Sequence, residues 1–155
     1  MHIAEREVNT ALRKLRWDGQ WGVAEQVDAH GPGNVAIVEV HSEQVTEIFT
    51  AFGRLGKRAE QVAAEVVADT LAYLQSGAPV GPHLADQIML PLGISAWQPG
   101  DSDRRRGGSF TTMPLTDHST THIEVLRQFL DIDIRVDPAP DGKTCCVRLG
   151  PHTTP

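Results

Sequence analysis

Residues 76–87 read Ser76-Gly77-Ala78-Pro79-Val80-Gly81-Pro82-His83-Leu84-Ala85-Asp86-Gln87. The first seven are small residues and prolines, and the composition changes after them, so they mark a domain boundary. Gly77 is placed to end a helix arriving from upstream, and Pro82 suits the first turn of a helix leaving downstream. The chain therefore divides into residues 1–77 and 78–155, and each part has to be read for its own elements.

Upstream, residues 3–16 predict a helix, with Ile3, Val8, Leu12 and Leu15 at mostly helical spacing. Trp21 to Val27 predicts a strand, and His30 to Asn34 a turn rich in glycine. Val35 to Val40 predicts a short buried strand, and Val45 to Phe52 another. Ala59 to Leu74 predicts a helix with Ala59, Val62, Ala63, Val66 and Thr70 on one stripe. Downstream, the helix opened by Pro82 is expected to stop near Pro91, and Trp97 to Gly108 has loop composition. Gly108 to Met113 predicts a strand, about Thr121 to Leu130 a helix, and Ile132 to Val136 and Thr144 to Leu149 two strands flanking a turn at 138–142. The sheet from Gly108 onward should carry helices on one face and leave an apolar patch exposed. Helices and strands mixed in this way define an α/β protein.

The bulk numbers narrow the function. A chain of 155 residues can bury a core, as one domain or two small ones. Its 40% hydrophobic and 22% charged content is ordinary for globular proteins. A net charge of -6 argues against a strongly basic nucleic-acid binder, so RNA contact has to come from a local patch or another chain. The basic run Arg104-Arg105-Arg106 reads as a solvated loop or a phosphate contact. The two cysteines, Cys145 and Cys146, are adjacent. On a strand they face opposite ways, so no disulfide joins them, which fits a reducing compartment. No apolar run approaches the roughly 20 residues of a membrane span, and the start lacks a signal-peptide core. The expected location is the cytoplasm, with no membrane partner.

Two motifs carry chemistry. His83, Asp86 and Gln87 fall at i, i+3 and i+4, one face of a helix, with Leu84, Ala85, Ile88 and Leu92 opposite. The trio fits a solvent-exposed polar face. It equally fits a nucleotide pocket, in which the amide and carboxylate bond a base or ribose and the imidazole stacks on a purine. The second motif is Pro114-Leu115-Thr116-Asp117-His118-Ser119-Thr120-Thr121-His122-Ile123-Glu124-Val125. Thr121 to Glu124 has the spacing of a capping box, which predicts a helix start there, and the free N–H groups of such a start suit an anion. His118 then stands just ahead of the helix, where a neutral imidazole can attack the α-phosphorus of a nucleotide. A loop histidine without a role fits the spacing too. His118 and His122 resemble half of a zinc site, but a structural site takes four ligands and the adjacent cysteines lack the usual gap, so no metal-ligating residues are assigned. No Walker pattern occurs.

From His2 to about Leu149 the chain resembles the RNA 3'-terminal phosphate cyclases, entered partway through. The resemblance rests on His2-Ile3-Ala4-Glu5-Arg6-Glu7, on Gly31-Pro32-Gly33-Asn34, on Ala59 to Gly77, on His83-Leu84-Ala85-Asp86-Gln87, and on His118 followed by Thr121 and Ile123. It implies a small thioredoxin-like insert over 1–77, then the closing part of a βαβαββ-repeat catalytic domain over 78–155. It implies an enzyme of the ligase class with His118 as the adenylated nucleophile and His83, Leu84, Ala85, Asp86 and Gln87 holding the adenosine. ATP adenylates the histidine with loss of pyrophosphate, AMP passes to an RNA 3'-phosphate, and the neighbouring 2'-hydroxyl closes a 2',3'-cyclic phosphate. ATP and a divalent ion, magnesium or manganese, are the implied cofactors, and RNA with a 3'-phosphate is the implied substrate. The family's amino-terminal half has no counterpart in these residues, so a separate chain is an expected partner. The competing expectation is a non-catalytic cyclase-like protein, or an inert fragment serving as a partner-binding module.

Overall fold

The computed structural model describes residues 2–98 and 106–152, which form two compact units dividing between Gln75 and Ser76. The elements are α1 (Ile3–Leu15), a single 3-10 turn (Gly19–Trp21), β1 (Val35–His41), β2 (Thr46–Phe52), α2 (Ala59–Ser76), α3 (Pro82–Trp97), β3 (Gly108–Thr112), α4 (Asp117–Phe129), β4 (Ile132–Pro138) and β5 (Cys145–Pro151). The protein is α/β, with helices and antiparallel strands in both units.

In the first unit β1 and β2 form an antiparallel hairpin pairing Val38 with Phe49 and Ile37 with Thr50. Strict alternation along β2 turns Phe49 and Ala51 inward. α2 buries its own stripe of Ala59, Val62, Ala63, Val66 and Thr70, and the Phe49 ring sits 5.4 Å from that of Tyr73, further along the same helix. The expected strand over Trp21 to Val27 does not form. Asp18 accepts a hydrogen bond from the Gln20 amide and starts a helical turn instead, while Trp21, Val23 and Val27 stay exposed. A strand needs a ladder partner, and local turn chemistry won where none was offered. β1 is also not a buried strand: Ile37 on its outer face is 54% exposed, so the hairpin is covered on one side only.

The second unit opens with a single parallel bridge between Val80 and Thr112. Counted as the stub of a strand, that bridge makes the order β-α3-β3-α4-β4-β5, and the sheet runs β3-β5-β4. β3 and β4 both pair antiparallel with β5, so α4 joins two parallel strands with β5 lying between them. Side chains from one face of the sheet, Ile132, Ile134, Val147, Leu149 and Cys145, pack with Met89 and Ala96 of α3 and Ile123 and Leu126 of α4. The other face carries Asp133–Arg135 and Asp137–Arg148 ion pairs. The exposed apolar residues of this unit therefore lie on the helices, as Leu90, Ile94 and Trp97 on α3 and Val125 and Phe129 on α4, not on the sheet.

Two boundaries moved. α3 runs through Pro91 to Trp97, since burial of Met89, Gly93 and Ala96 outweighs the one backbone bond a proline removes. α4 begins at Asp117, four residues ahead of the expected start. Thr116, and not Thr121, is its cap, accepting from the Ser119 amide at 3.1 Å. Thr121 instead bonds back to the Asp117 carbonyl inside the helix. Of the arginine run, Arg104 and Arg105 fall outside the described residues. The half-buried Arg106 donates to the Ala96 carbonyl at the end of α3. Gly107 beside it has φ +79°, and a Cβ there would fall 2.1 Å from the Leu149 carbonyl oxygen, so only glycine fits.

Candidate functional site

α3 and α4 lie side by side over the sheet, and their polar residues meet where the helices begin. Pro82 starts α3, so Asp86 sits in its second turn, half-buried at 24% side-chain exposure. Thr116 starts α4, so His118 is in the first turn and His122 one turn later on the same face. Both imidazoles converge on the one carboxylate. His118 Nδ1 lies 3.0 Å from Asp86 Oδ2, and His122 Nδ1 lies 3.0 Å from Oδ1. The two rings differ in environment: the His118 side chain is 80% exposed and that of His122 is 21% exposed.

A carboxylate only accepts hydrogen bonds, so in the His122–Asp86 hydrogen bond the imidazole is the donor, while His118 Nδ1 faces Oδ2 as an ion-pair contact. His118 Nε2 is the ring nitrogen that does not face Asp86, and it belongs to the exposed ring. The first-turn amides of Asp117 and His118 have no helical partner by position, while the Ser119 amide is taken by Thr116. The site thus presents an oriented imidazole at the positive end of a helix.

Of the five residues read as an adenosine-binding run, Asp86 meets His118. His83 and Gln87 are exposed on α3, and Leu84 is half-buried. Ala85 is 1% exposed and packs inward, so its methyl serves the core. His118 is inside the helix start, not ahead of it, because the cap is Thr116. Sequence reasoning gave Thr116 no role and left His122 as half of a zinc site that was not assigned. Thr116 was legible as a threonine three ahead of a serine at a helix start. His122 was legible through its four-residue spacing from His118, which puts two rings on one side of a helix. Their shared partner Asp86 lies on another helix, 32 and 36 residues earlier, and its sharing by both rings follows from no spacing within α4. Among the described residues no group of three or more histidine, cysteine, aspartate or glutamate side chains is arranged to hold a metal ion.

An insert unit, followed by a split βαβ unit with a carboxylate–imidazole cluster, is the class that fold and site define. Residues 1–75 match the insert domain of RNA 3'-terminal phosphate cyclase (RTC). The chain is 40% identical over 134 residues to the RNA 3'-terminal phosphate cyclase of Ectopseudomonas mendocina (strain ymp), which covers 86% of this chain and 36% of that protein. It is 38% identical over 142 residues to the protein of the same name from Koribacter versatilis (strain Ellin345), covering 87% and 36%. For the one from Ralstonia nicotianae (strain ATCC BAA-1114 / GMI1000) the figures are 38% over 148 residues, 95% and 39%. The chain belongs to the RNA 3'-terminal phosphate cyclase family. It spans a little over a third of the length of these relatives.

Proposed function

We propose that this chain carries the nucleotidyl-transfer centre of an RNA 3'-phosphate cyclase, with His118 as the AMP acceptor. One observation carries the reading: His118 Nδ1 is 3.0 Å from Asp86 Oδ2 on a ring that is otherwise exposed. Asp86 holds the proton on Nδ1, and Nε2 is left as the nucleophile. Nε2 attacks the α-phosphorus of ATP, a P–N bond forms, and the P–O bond to pyrophosphate breaks. The Nδ1 proton stays between ring and carboxylate, so Asp86 offsets the positive charge the ring acquires on attack. A 3'-phosphate oxygen of RNA then displaces the imidazole and takes AMP. Attack by the 2'-hydroxyl releases AMP and leaves the 2',3'-cyclic phosphate. His83 and Gln87, exposed on the turn of α3 that carries Asp86, are the proposed contacts for adenosine, with Leu84 and Ala85 supporting them from the same turn.

The remaining part of such an enzyme, supplied as a separate chain or by fusion, is the proposed partner. The reaction is placed in the cytoplasm, which two free cysteines favour. Among the described residues no helix is long and apolar enough to cross a membrane.

The test is incubation with ATP labelled at the α-phosphate, with the amino-terminal part of a related cyclase supplied. The expected product is an acid-labile, alkali-stable adduct that disappears in His118→Ala. Label that persists in His118→Ala, or no label in the assembled protein, would overturn the reading. The second outcome would assign the chain to the non-catalytic, partner-binding class.

A further inference from the structure

We infer that His122 is a positioning residue for the His118 nucleophile, acting through Asp86; the inference deepens the adenylyl-transfer reading and rests on it. A carboxylate on a helix surface has a free rotation about its last bond, and a single exposed histidine cannot hold it. Here the two oxygens are divided between two rings at the same distance, 3.0 Å each. His122 is the ring with little freedom: it is 21% exposed, between the buried Ser119 and Ile123 of α4. Its Nδ1 proton fixes Oδ1, which fixes the carboxylate plane and aims Oδ2 at His118 Nδ1. The consequence for His118 is a single tautomer, Nδ1–H with the lone pair on Nε2. Without His122 the carboxylate turns freely, and the exposed His118 ring is released to exchange between its two neutral tautomers.

The inference makes a sharp distinction between two similar substitutions. The side-chain nitrogen of asparagine occupies the place of Nδ1, whereas that of glutamine occupies the place of Nε2. His122→Asn therefore keeps a donor on Asp86 Oδ1, and His122→Gln moves it about one bond length beyond. Long-range proton–nitrogen correlation spectra of the full 15N-labelled chain, taken at a pH where imidazoles are neutral, read the tautomer of His118 directly. The expected result is the Nδ1–H form of His118 in the wild type and in His122→Asn, and a mixture of both forms in His122→Gln. Unchanged signals from the buried Ile123 and Leu126 methyls certify the fold in each variant. A His118 tautomer that is the same in all three proteins, or an Nε2–H form in the wild type, overturns the inference. This measurement needs no nucleotide, so it stands or falls apart from the labelling experiment. With labelled ATP and the amino-terminal part supplied, His122→Gln should lose roughly 10–100-fold in the rate of adduct formation while KM for ATP holds, and His122→Asn should recover it.

Discussion

Replacing Thr116 by alanine tests where α4 begins, and with it the placement of His118. The Thr116 hydroxyl accepts from the Ser119 amide at 3.1 Å and pairs with the Ser119 hydroxyl at 3.1 Å. Loss of the cap costs about 1 kcal/mol. The Ser119 side chain is 1% exposed, so stripping a partner from its hydroxyl adds about 1 kcal/mol. The sum, about 2 kcal/mol, corresponds to roughly 30-fold faster opening of the helix. Native-state hydrogen exchange of the Ile123 and Leu126 amides, both in the buried stripe of α4, measures that opening without assuming that the two units unfold together. Thr116→Ser should stay near wild type because it keeps the oxygen. Thr121→Ala should change exchange by less than about twofold, since it removes one exposed hydrogen bond to the Asp117 carbonyl and gains helix propensity. The reverse order, with Thr121→Ala costly and Thr116→Ala silent, would place the helix start at Thr121 and refute the position of His118 in its first turn.

Gly107→Ala should destabilise the second unit by at least about 2 kcal/mol in urea, because it forces a side chain into φ +79° and against the Leu149 carbonyl. Burial pushes the Cys145 thiol up, so iodoacetamide should modify the half-exposed Cys146 first, and Cys145 only on unfolding. Burial, and after it the neighbouring Glu47 charge, also raises the Tyr73 phenol. For both groups the folded protein prefers the proton, so their stabilisation is complete below the ordinary range and is lost as pH rises through the raised values; Tyr73→Phe should lessen the alkaline fall in the urea midpoint of the first unit. The Arg6 hydrogen bond holds Glu60 below the usual carboxylate range, so its contribution is present above that range and fades as pH falls; Glu60→Gln should flatten the acid limb of the same titration.

The local elements were legible because each is announced by short-range chemistry. The stripe Ala59, Val62, Ala63, Val66 and Thr70 is buried along α2 as its helical spacing requires, and Gly77 takes the left-handed conformation, φ +68°, that ends it. β2, β4 and β5 follow the alternation that a sheet with one covered face imposes. Misreadings came where local signals competed. Thr116 and Thr121 both offer a cap, and Thr116 takes the role because its hydroxyl pairs with both the amide and the hydroxyl of the buried Ser119. Pro91 signals a stop, and burial of Gly93 and Ala96 overrides it. Trp21 to Val27 has strand composition but no strand to pair with.

The sequence by itself determined which residues carry chemistry and on which helix faces they fall, since a period of 3.6 residues puts His118 with His122 and His83 with Asp86 and Gln87. Only the tertiary structure decided that Asp86 stands between two imidazoles. That meeting depends on α3 and α4 crossing the same face of the β3-β5-β4 sheet, and the angle and depth at which they lie are set by packing of Met89, Ile123 and Leu126 on Val147 and Ile134. His118 and His122 reach an acceptor 32 and 36 positions earlier in the chain because a common core holds the two helices together, and no spacing rule within either helix encodes it.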